Sequence, residues 1–459
     1  MNRSNNGACL TWRARLERCS RALVILIPLV WAVWWIVWAY PGIWTPDTLR
    51  QFGEAMDGVY NNWKPTLYAL MLGFFEKCFP GNGIGMAYVV QIVCMGLSVM
   101  LIAVYYTKRH VCYSLLVLVL PLFFTQKCVL ITTVGNDELA AACYLMYIAC
   151  ILWGGTIRCR GWRYLLLIFA WLILGYGMVL RHNSMPCVAL LAAWGSWKCG
   201  VNKVIHMAFS GLLFVVLAAS INAIIISAIL RAESTYPLRF PLAADIVNLS
   251  ILDGKWHPVP VGDFSLDLTP PHESCMLAPD CVNRGGPLDP YAMYDGEEKR
   301  LRDYNALKST WLKMVLAHPV RYVQLKLFFF HQFLLEGRCI PWLCEQLRES
   351  YPHISIHMER ESRNWRAWVN REFLSMSVVP LICYAFLLLC FWKPLRRWVA
   401  ECPVRVDAVV FIGVAFLYTS SFILLVLSAT EQRFYIIRAV LCCVSAAILA
   451  LSVLEREKP

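Results

Sequence analysis

The sequence predicts an all-α polytopic membrane protein of about ten transmembrane helices, and three observations carry that expectation. Of 459 residues, 59% are apolar and only 16% charged, with a mean hydropathy of +0.54. Soluble domains are closer to half apolar and a quarter charged. The apolar surplus comes in blocks of about 20 residues, the length a helix needs to cross a bilayer. The basic residues gather in alternate gaps between those blocks, as cytoplasmic loops do.

In chain order the expected spans are 22–40, 84–106, 111–127, 137–154, 164–180, 185–199, 204–230, 375–393, 404–428 and 435–454. The first is free of charge and too rich in Trp for a signal-peptide core, and Trp44-Thr45-Pro46-Asp47 follows it instead of a cleavage site. It reads as a retained signal anchor. Arg3, Arg13, Arg15, Arg18 and Arg21 precede it. Further basic clusters fall at Lys108-Arg109, at Arg158, Arg160 and Arg163, at Lys198 and Lys203, and at Lys393, Arg396 and Arg397. Placing all of them inside puts both termini in the cytoplasm. The net charge of +12 is then a topology signal, not a nucleic-acid site.

This divides the chain into an N-terminal transmembrane module, 1–230, a large outer segment, 231–374, and a C-terminal three-helix module, 375–459. The first outer loop, 41–83, carries turn residues at Pro41-Gly42, Asn61-Asn62 and Phe79-Pro80-Gly81. Two amphipathic helices, about 46–58 and 65–78, lie between them. The second is too short to span and is expected in the interface. The large outer segment begins rich in Pro and Gly and becomes helical from about Tyr304, with a break at His318-Pro319. Its run 325–335 is expected to be re-entrant or interfacial. Most of the 20 cysteines lie in apolar blocks. Cys275 with Cys281, and Cys339 with Cys344, are outer pairs suited to an oxidising compartment.

Ionisable groups at a membrane face are costly unless they pair or work. Asp47 follows the first span, where a carboxylate can deprotonate an acceptor hydroxyl or cap the helix beginning there. Asp57 is expected on or just after the same helix. Asp137-Glu138 opens the fourth span; the pair suits the helix dipole, or supplies a second acid or metal ligand. Arg181-His182-Asn183 ends the fifth span, and Glu431-Gln432-Arg433-Phe434-Tyr435 precedes the tenth. Arginine there suits a phosphate or an interfacial anchor. Lys64, in Asn61-Asn62-Trp63-Lys64-Pro65, suits a carboxylate, a lipid phosphate or the interface.

These same residues resemble motifs of the GT-C glycosyltransferases. Asp47 followed by Trp63-Lys64-Pro65 is similar to the family's first-loop Asp, spacer and His-Pro. Gly135-Asn136-Asp137-Glu138 resembles its Asn-Asp element, and Glu431-Gln432-Arg433-Phe434-Tyr435 its Arg-Tyr element. Arg181-His182-Asn183 resembles an Arg-x-Asn element of uncharacterised bacterial members. The resemblance implies a GT-C-like fold in a bacterial inner membrane, and transfer of a sugar from a polyprenyl-phosphate donor, with inversion, to an outer-face glycan, lipid or protein. It implies Asp47 as base and Arg433 as phosphate ligand, and Asp137 stands beside them as the candidate second catalytic acid. Arg181, His182, Lys64, Glu138, Asp57 and Tyr435 become candidate substrate contacts. Lys64 departs from the family's His. Some members use a divalent metal, and the sequence assigns none here. A lipid-linked-glycan flippase, an envelope assembly protein, or an O-antigen ligase or polymerase shares parts of this pattern. A flippase calls for charged or broken helices at mid-membrane, whereas the charges here sit at helix ends.

Overall fold

The computed structural model describes residues 4–44, 46–62, 64–123, 133–234, 236, 238–253, 260–261, 264–265, 297–335, 378–425 and 436–454. They fold as a polytopic helical membrane protein. Among the described residues, seven helices are long and apolar enough to cross a bilayer, and eight if one bent pair counts as a span.

Helix α1 (Ser4–Ala39) reaches well back from the expected start of the first span. Its membrane part, Cys19–Ala39, carries Trp31, Trp35 and Trp38, spaced to meet on one helix face. Their rings pack edge to face, with centroids 6.5 and 5.5 Å apart. The stretch 41–83 then folds as strand β1 (Ile43–Trp44), α2 (Pro46–Asp57) and α3 (Thr66–Cys78). The 13 residues of α3 extend about 20 Å, short of a bilayer core. Its loop to α4 (Gly83–Thr107) turns at Gly81, whose φ of +76° suits glycine. Glu76 fastens the turn by accepting from the backbone amide of Gly83, 2.9 Å away.

After α4 the expected span 111–127 departs from expectation. Val111–Leu118 forms a 3-10 helix, followed by the short α5 (Val119–Phe123). Strand β2 (Thr133–Val134) leads into α6 (Asn136–Gly154), which sits at the centre of the bundle and is buried on nearly every side. Helices α7 (Arg160–Leu180) and α8 (Met185–Lys198) flank it. Tyrosines make the close contacts. Tyr144 donates to the Gly177 carbonyl at 3.0 Å, and Tyr147 to that of Leu191 at 3.1 Å. A Cβ at Gly195 would collide with the Tyr147 hydroxyl, so glycine is what lets α8 approach. Helix α8 has only 14 residues, and its ends still reach both ends of the bundle. Helix α9 (Val204–Ile224), extended by a π-turn over Ile225–Ile229, exposes Ile205, Phe209, Leu212 and Ile221, a face suited to lipid.

The segment 231–374 contributes α10 (Arg239–Asp253), the hairpin of β3 (Pro260–Val261) and β4 (Phe264–Ser265), α11 (Glu297–Ala317) and α12 (Pro319–Leu335). The break between α11 and α12 falls at His318-Pro319, as expected. Lys326 meets Asp245 at 2.9 Å and ties α12 to α10. Burial pushes the Asp245 carboxyl up, and the Lys326 charge opposes it. Cys275, Cys281, Cys339 and Cys344, the pairs expected to be oxidised, lie outside the described residues.

The expected span 375–393 appears as α13 (Val379–Leu389) bent by 104° from α14 (Lys393–Ala400). Helices α15 (Pro403–Leu425) and α16 (Ile436–Leu454) pack together and complete the bundle. At the basic end of the bundle, Asp407 of α15 accepts from Tyr106 at 2.9 Å and Trp194 at 2.9 Å, and meets Lys198 at 2.7 Å. Arg405 donates to the Trp398 carbonyl at 2.9 Å and lies over its ring. These groups satisfy one another where helix ends would otherwise bury bare charge.

Candidate functional site

The opposite end of the bundle carries the candidate site. A two-residue parallel pairing positions it: Ile43 pairs with Thr133, and Trp44 with Val134. Gly42 permits the approach; its φ is +85°, and a Cβ there would strike Val134 and Tyr88. Gln91 of α4 donates to the Thr133 carbonyl at 2.9 Å, and the Thr48 hydroxyl donates to that of Val134. The first turn of α2 is thereby held beside the first turn of α6.

Asp47 and Thr48 are buried in that first turn of α2. Lys64 places Nζ 2.8 Å from Oδ2 of Asp47, so of its three readings the structure shows the carboxylate partner. One turn along α2, Gln51 donates to the Pro65 carbonyl at 3.1 Å. A further turn along, Glu54 accepts from Asn61 and meets Arg50 at 3.6 Å. Asp47, Gln51 and Glu54 thus share one face. Asp57 is exposed at the helix end, about 80° round from Asp47, and does not join them. Burial raises Glu54 above the usual carboxylate range; Asn61 and Arg50 offset part of this.

Asp137 and Glu138 are buried in the first turn of α6, where the helix dipole favours negative charge. Asn136 donates to the Leu180 carbonyl at 3.2 Å, which brings in the end of α7. Arg181, next in the chain, pairs through Nε with Oδ1 of Asp137. His182 opens a 3-10 turn, His182–Ser184. Desolvation by the surrounding protein, then the Arg181 charge, lowers its pKa, although the residue as a whole is exposed. Tyr68 of α3 lies within electrostatic reach of Asp137 and Glu138. Tyr418 of α15 lies within reach of Arg181, Asp137 and Glu138.

The structure therefore assembles Asp47 with Lys64, and Asp137 with Glu138 and Arg181, on one end of the bundle. His182 sits at its edge. Arg433 and Tyr435 lie outside the described residues. Sequence reasoning passed over Glu54, Tyr68 and Arg438. The spacing 47, 51, 54 could have pointed to Glu54. Arg438 was legible as a charge inside an apolar block: it is the third residue of α16 and fully buried. Among the described residues, no three His, Cys, Asp or Glu side chains gather as metal ligands would.

The opening of the segment 231–374 is also tied to this region. The Asn62 amide donates to the Glu233 carbonyl at 3.0 Å, and the Glu233 amide to that of Tyr60 at 2.9 Å. The sequence matches no protein-family model, and no curated protein or solved structure matches the chain.

Proposed function

We propose that this cluster transfers a sugar from a polyprenyl-phosphate donor to a hydroxyl-bearing glycan, lipid or protein acceptor on the outer face of a bacterial inner membrane. The observation that carries the reading is the convergence just described. Two acid–base pairs from distant parts of the chain, Asp47 with Lys64 and Asp137 with Arg181, meet at one end of a membrane bundle. That end is the one opposite the basic loops, hence the outer one.

In this mechanism Asp47 takes the acceptor hydroxyl proton as the oxygen attacks the anomeric carbon. The bond from that carbon to the donor phosphate oxygen breaks, and polyprenyl phosphate departs as an anion. A phosphate leaving group needs little protonation, so catalysis rests on the base, on orientation and on charge stabilisation. Lys64 fixes the Asp47 carboxylate. Arg181, held by Asp137, and Arg433 stabilise the departing phosphate. Where described, the charged side chains of the spanning helices sit near helix ends, Arg438 and Asp407 included, which favours surface chemistry over passage of a charged cargo.

The test uses membranes containing the full chain and a set of radiolabelled polyprenyl-phosphate hexoses. Incorporation of label into endogenous acceptors, lost in Asp47→Asn, is expected. Absence of incorporation from every donor, or equal incorporation by the variant, overturns the reading.

A further inference from the structure

At the basic end of the bundle α13 stops and the chain turns by 104° into α14. An eight-residue helix thus lies almost at right angles to the one before it. Its faces are sorted by charge. Lys393, Arg396 and Arg397 fall within an arc of about 100°, and all three are exposed. Leu395, Trp398 and Val399 fall on the opposite side, where Val399 is buried. That apolar side is fastened to the protein. Trp398 meets Phe386 of α13 edge to face at 6.4 Å, and the Arg405 guanidinium lies 4.0 Å over its ring. Arg405 also donates to the Trp398 carbonyl at 2.9 Å and, from Nε and Nη2, to Ser452 of α16 at 3.2 Å each. The clamp fixes α14 in one orientation, with its basic face outward.

Lys393, Arg396 and Arg397 have no hydrogen-bond or ion-pair partner among the described residues. Beside them, at the bend, Phe391 is 84% and Trp392 65% exposed, and Leu388 and Leu389 of α13 are exposed as well. Apolar side chains of this size are costly in water. At the end of a membrane helix, aromatic ones belong at the boundary between lipid tails and headgroups.

We propose that α14 and the bend before it bind an anionic phospholipid of the leaflet at the basic end. The acyl chains cover Leu388, Leu389 and Phe391. The headgroup phosphate meets Arg396 and Arg397, whose planar guanidinium groups match its oxygens, and Lys393 adds a third charge. The stretch 391–402 holds three bases and one acid, Glu401, so it favours a headgroup with net negative charge. A choline headgroup brings its own cation and gains less. An interfacial amphipathic helix ordinarily sinks its apolar face into lipid. In α14 that face is packed on the bundle, and the basic face is left to read headgroup charge. This surface lies at the opposite end from Asp47 and Asp137 and does not depend on the transferase reading.

The experiment is native mass spectrometry of the purified full chain in detergent, titrated with phosphatidylglycerol or with phosphatidylcholine of the same acyl chains. Phosphatidylglycerol should be retained more strongly. Arg396→Gln combined with Arg397→Gln should weaken its retention about 30-fold, at about fivefold for each basic residue near an anionic surface. Arg158→Gln combined with Arg160→Gln removes two exposed charges elsewhere at the same end and should leave retention unchanged. Neither arginine of α14 has a partner to lose, so the Tm in lipid-free detergent should match the wild type. Added phosphatidylglycerol should raise the Tm of the wild type and not that of the variant. If the glutamine variant melts early, Arg396→Lys combined with Arg397→Lys decides: it keeps the charge and should keep the preference for phosphatidylglycerol at lower affinity. Loss of that preference overturns the proposal. So does equal retention of the two lipids in the wild type, the result expected if an acidic protein covers this face. Equal losses in the two glutamine variants overturn it too, because they would show bulk charge and no site.

Discussion

Lys64 sets its ammonium nitrogen 2.8 Å from Oδ2 of Asp47, with both side chains largely withdrawn from water. The lysine occupies the position at which the GT-C pattern carries histidine. A histidine there is neutral over much of the physiological range, whereas an ammonium keeps a fixed positive charge beside the carboxylate. The pair holds Oδ2 of the carboxylate in place beside the ammonium.

Asp47→Asn keeps the size of the side chain and can still face Lys64, yet it takes no proton at neutral pH. Transfer should fall about 100- to 10,000-fold, with insertion and expression unchanged. Lys64→Met should cost stability, up to about 3 kcal/mol, because it strands a largely buried carboxylate. Lys64→Arg should recover most of that loss. Activity in membranes and the thermal midpoint in detergent measure the two effects separately.

Asp137 and Arg181 should behave as one unit. Asp137→Asn and Arg181→Met each break the pair and leave the other member buried. The double variant removes both charges. Its loss of stability should be smaller than the sum of the single losses by about 0.5–3 kcal/mol. Thermal unfolding of the four proteins gives the coupling, and strictly additive losses would contradict the pairing.

Glu54 supplies a pH dependence with a definite sign. Burial lifts its pKa above the ordinary 4.5, so the folded chain binds the proton more tightly than the unfolded one. The contribution to stability is therefore greatest below the unfolded value and is lost as pH rises through the folded value. Glu54→Gln still accepts a hydrogen bond from Asn61 and carries no charge. It should gain stability relative to the wild type as pH rises above the ordinary 4.5. Melting curves across that range would expose a difference of the opposite sign.

The chain carries its own topology probes. Cys78 is exposed at the end of α3, near the candidate site, whereas Cys159 and Cys199 are exposed at the basic end. A membrane-impermeant maleimide added to intact cells should modify Cys78 and spare the other two until the cells are lysed. Peptide mass spectrometry assigns the sites. Modification in the reverse sense would put Asp47 and Asp137 in the cytoplasm.

Hydropathy made the long helices legible. The expected spans 84–106, 137–154 and 204–230 fall within a residue or two of Gly83–Thr107, Asn136–Gly154 and Val204–Ile229. The short helices of the first outer loop were legible from their turn residues. Where hydropathy stood alone it overreached: Val111–Leu118 winds as a 3-10 helix, and the block from 375 bends sharply at Cys390 to Trp392. An apolar composition states preference for lipid, not helix type or straightness. The site was legible residue by residue but not as pairs. Arg181 and Asp137 stand 44 positions apart, and no local pattern says that α7 ends where α6 begins. Asp57 was read as a candidate and Glu54 was not; helical phase separates them, Glu54 sharing the buried face with Asp47 and Gln51 and Asp57 standing exposed.

The Asp407 clamp has a mechanical consequence. It grips α8 at Lys198 and Trp194, while Arg181 and Asn183 sit just before the other end of that helix. Fourteen residues separate grip from tip, about 21 Å. A rod pinned at one end is a lever. A tilt of about 10° around Asp407 would carry the tip about 4 Å, close to the width of a sugar ring. Under the proposed function, donor entry and product exit would proceed by rocking about a buried fulcrum, without melting a turn of helix, and the stroke would be set by how far Asp407 lies from the opposite end of the bundle.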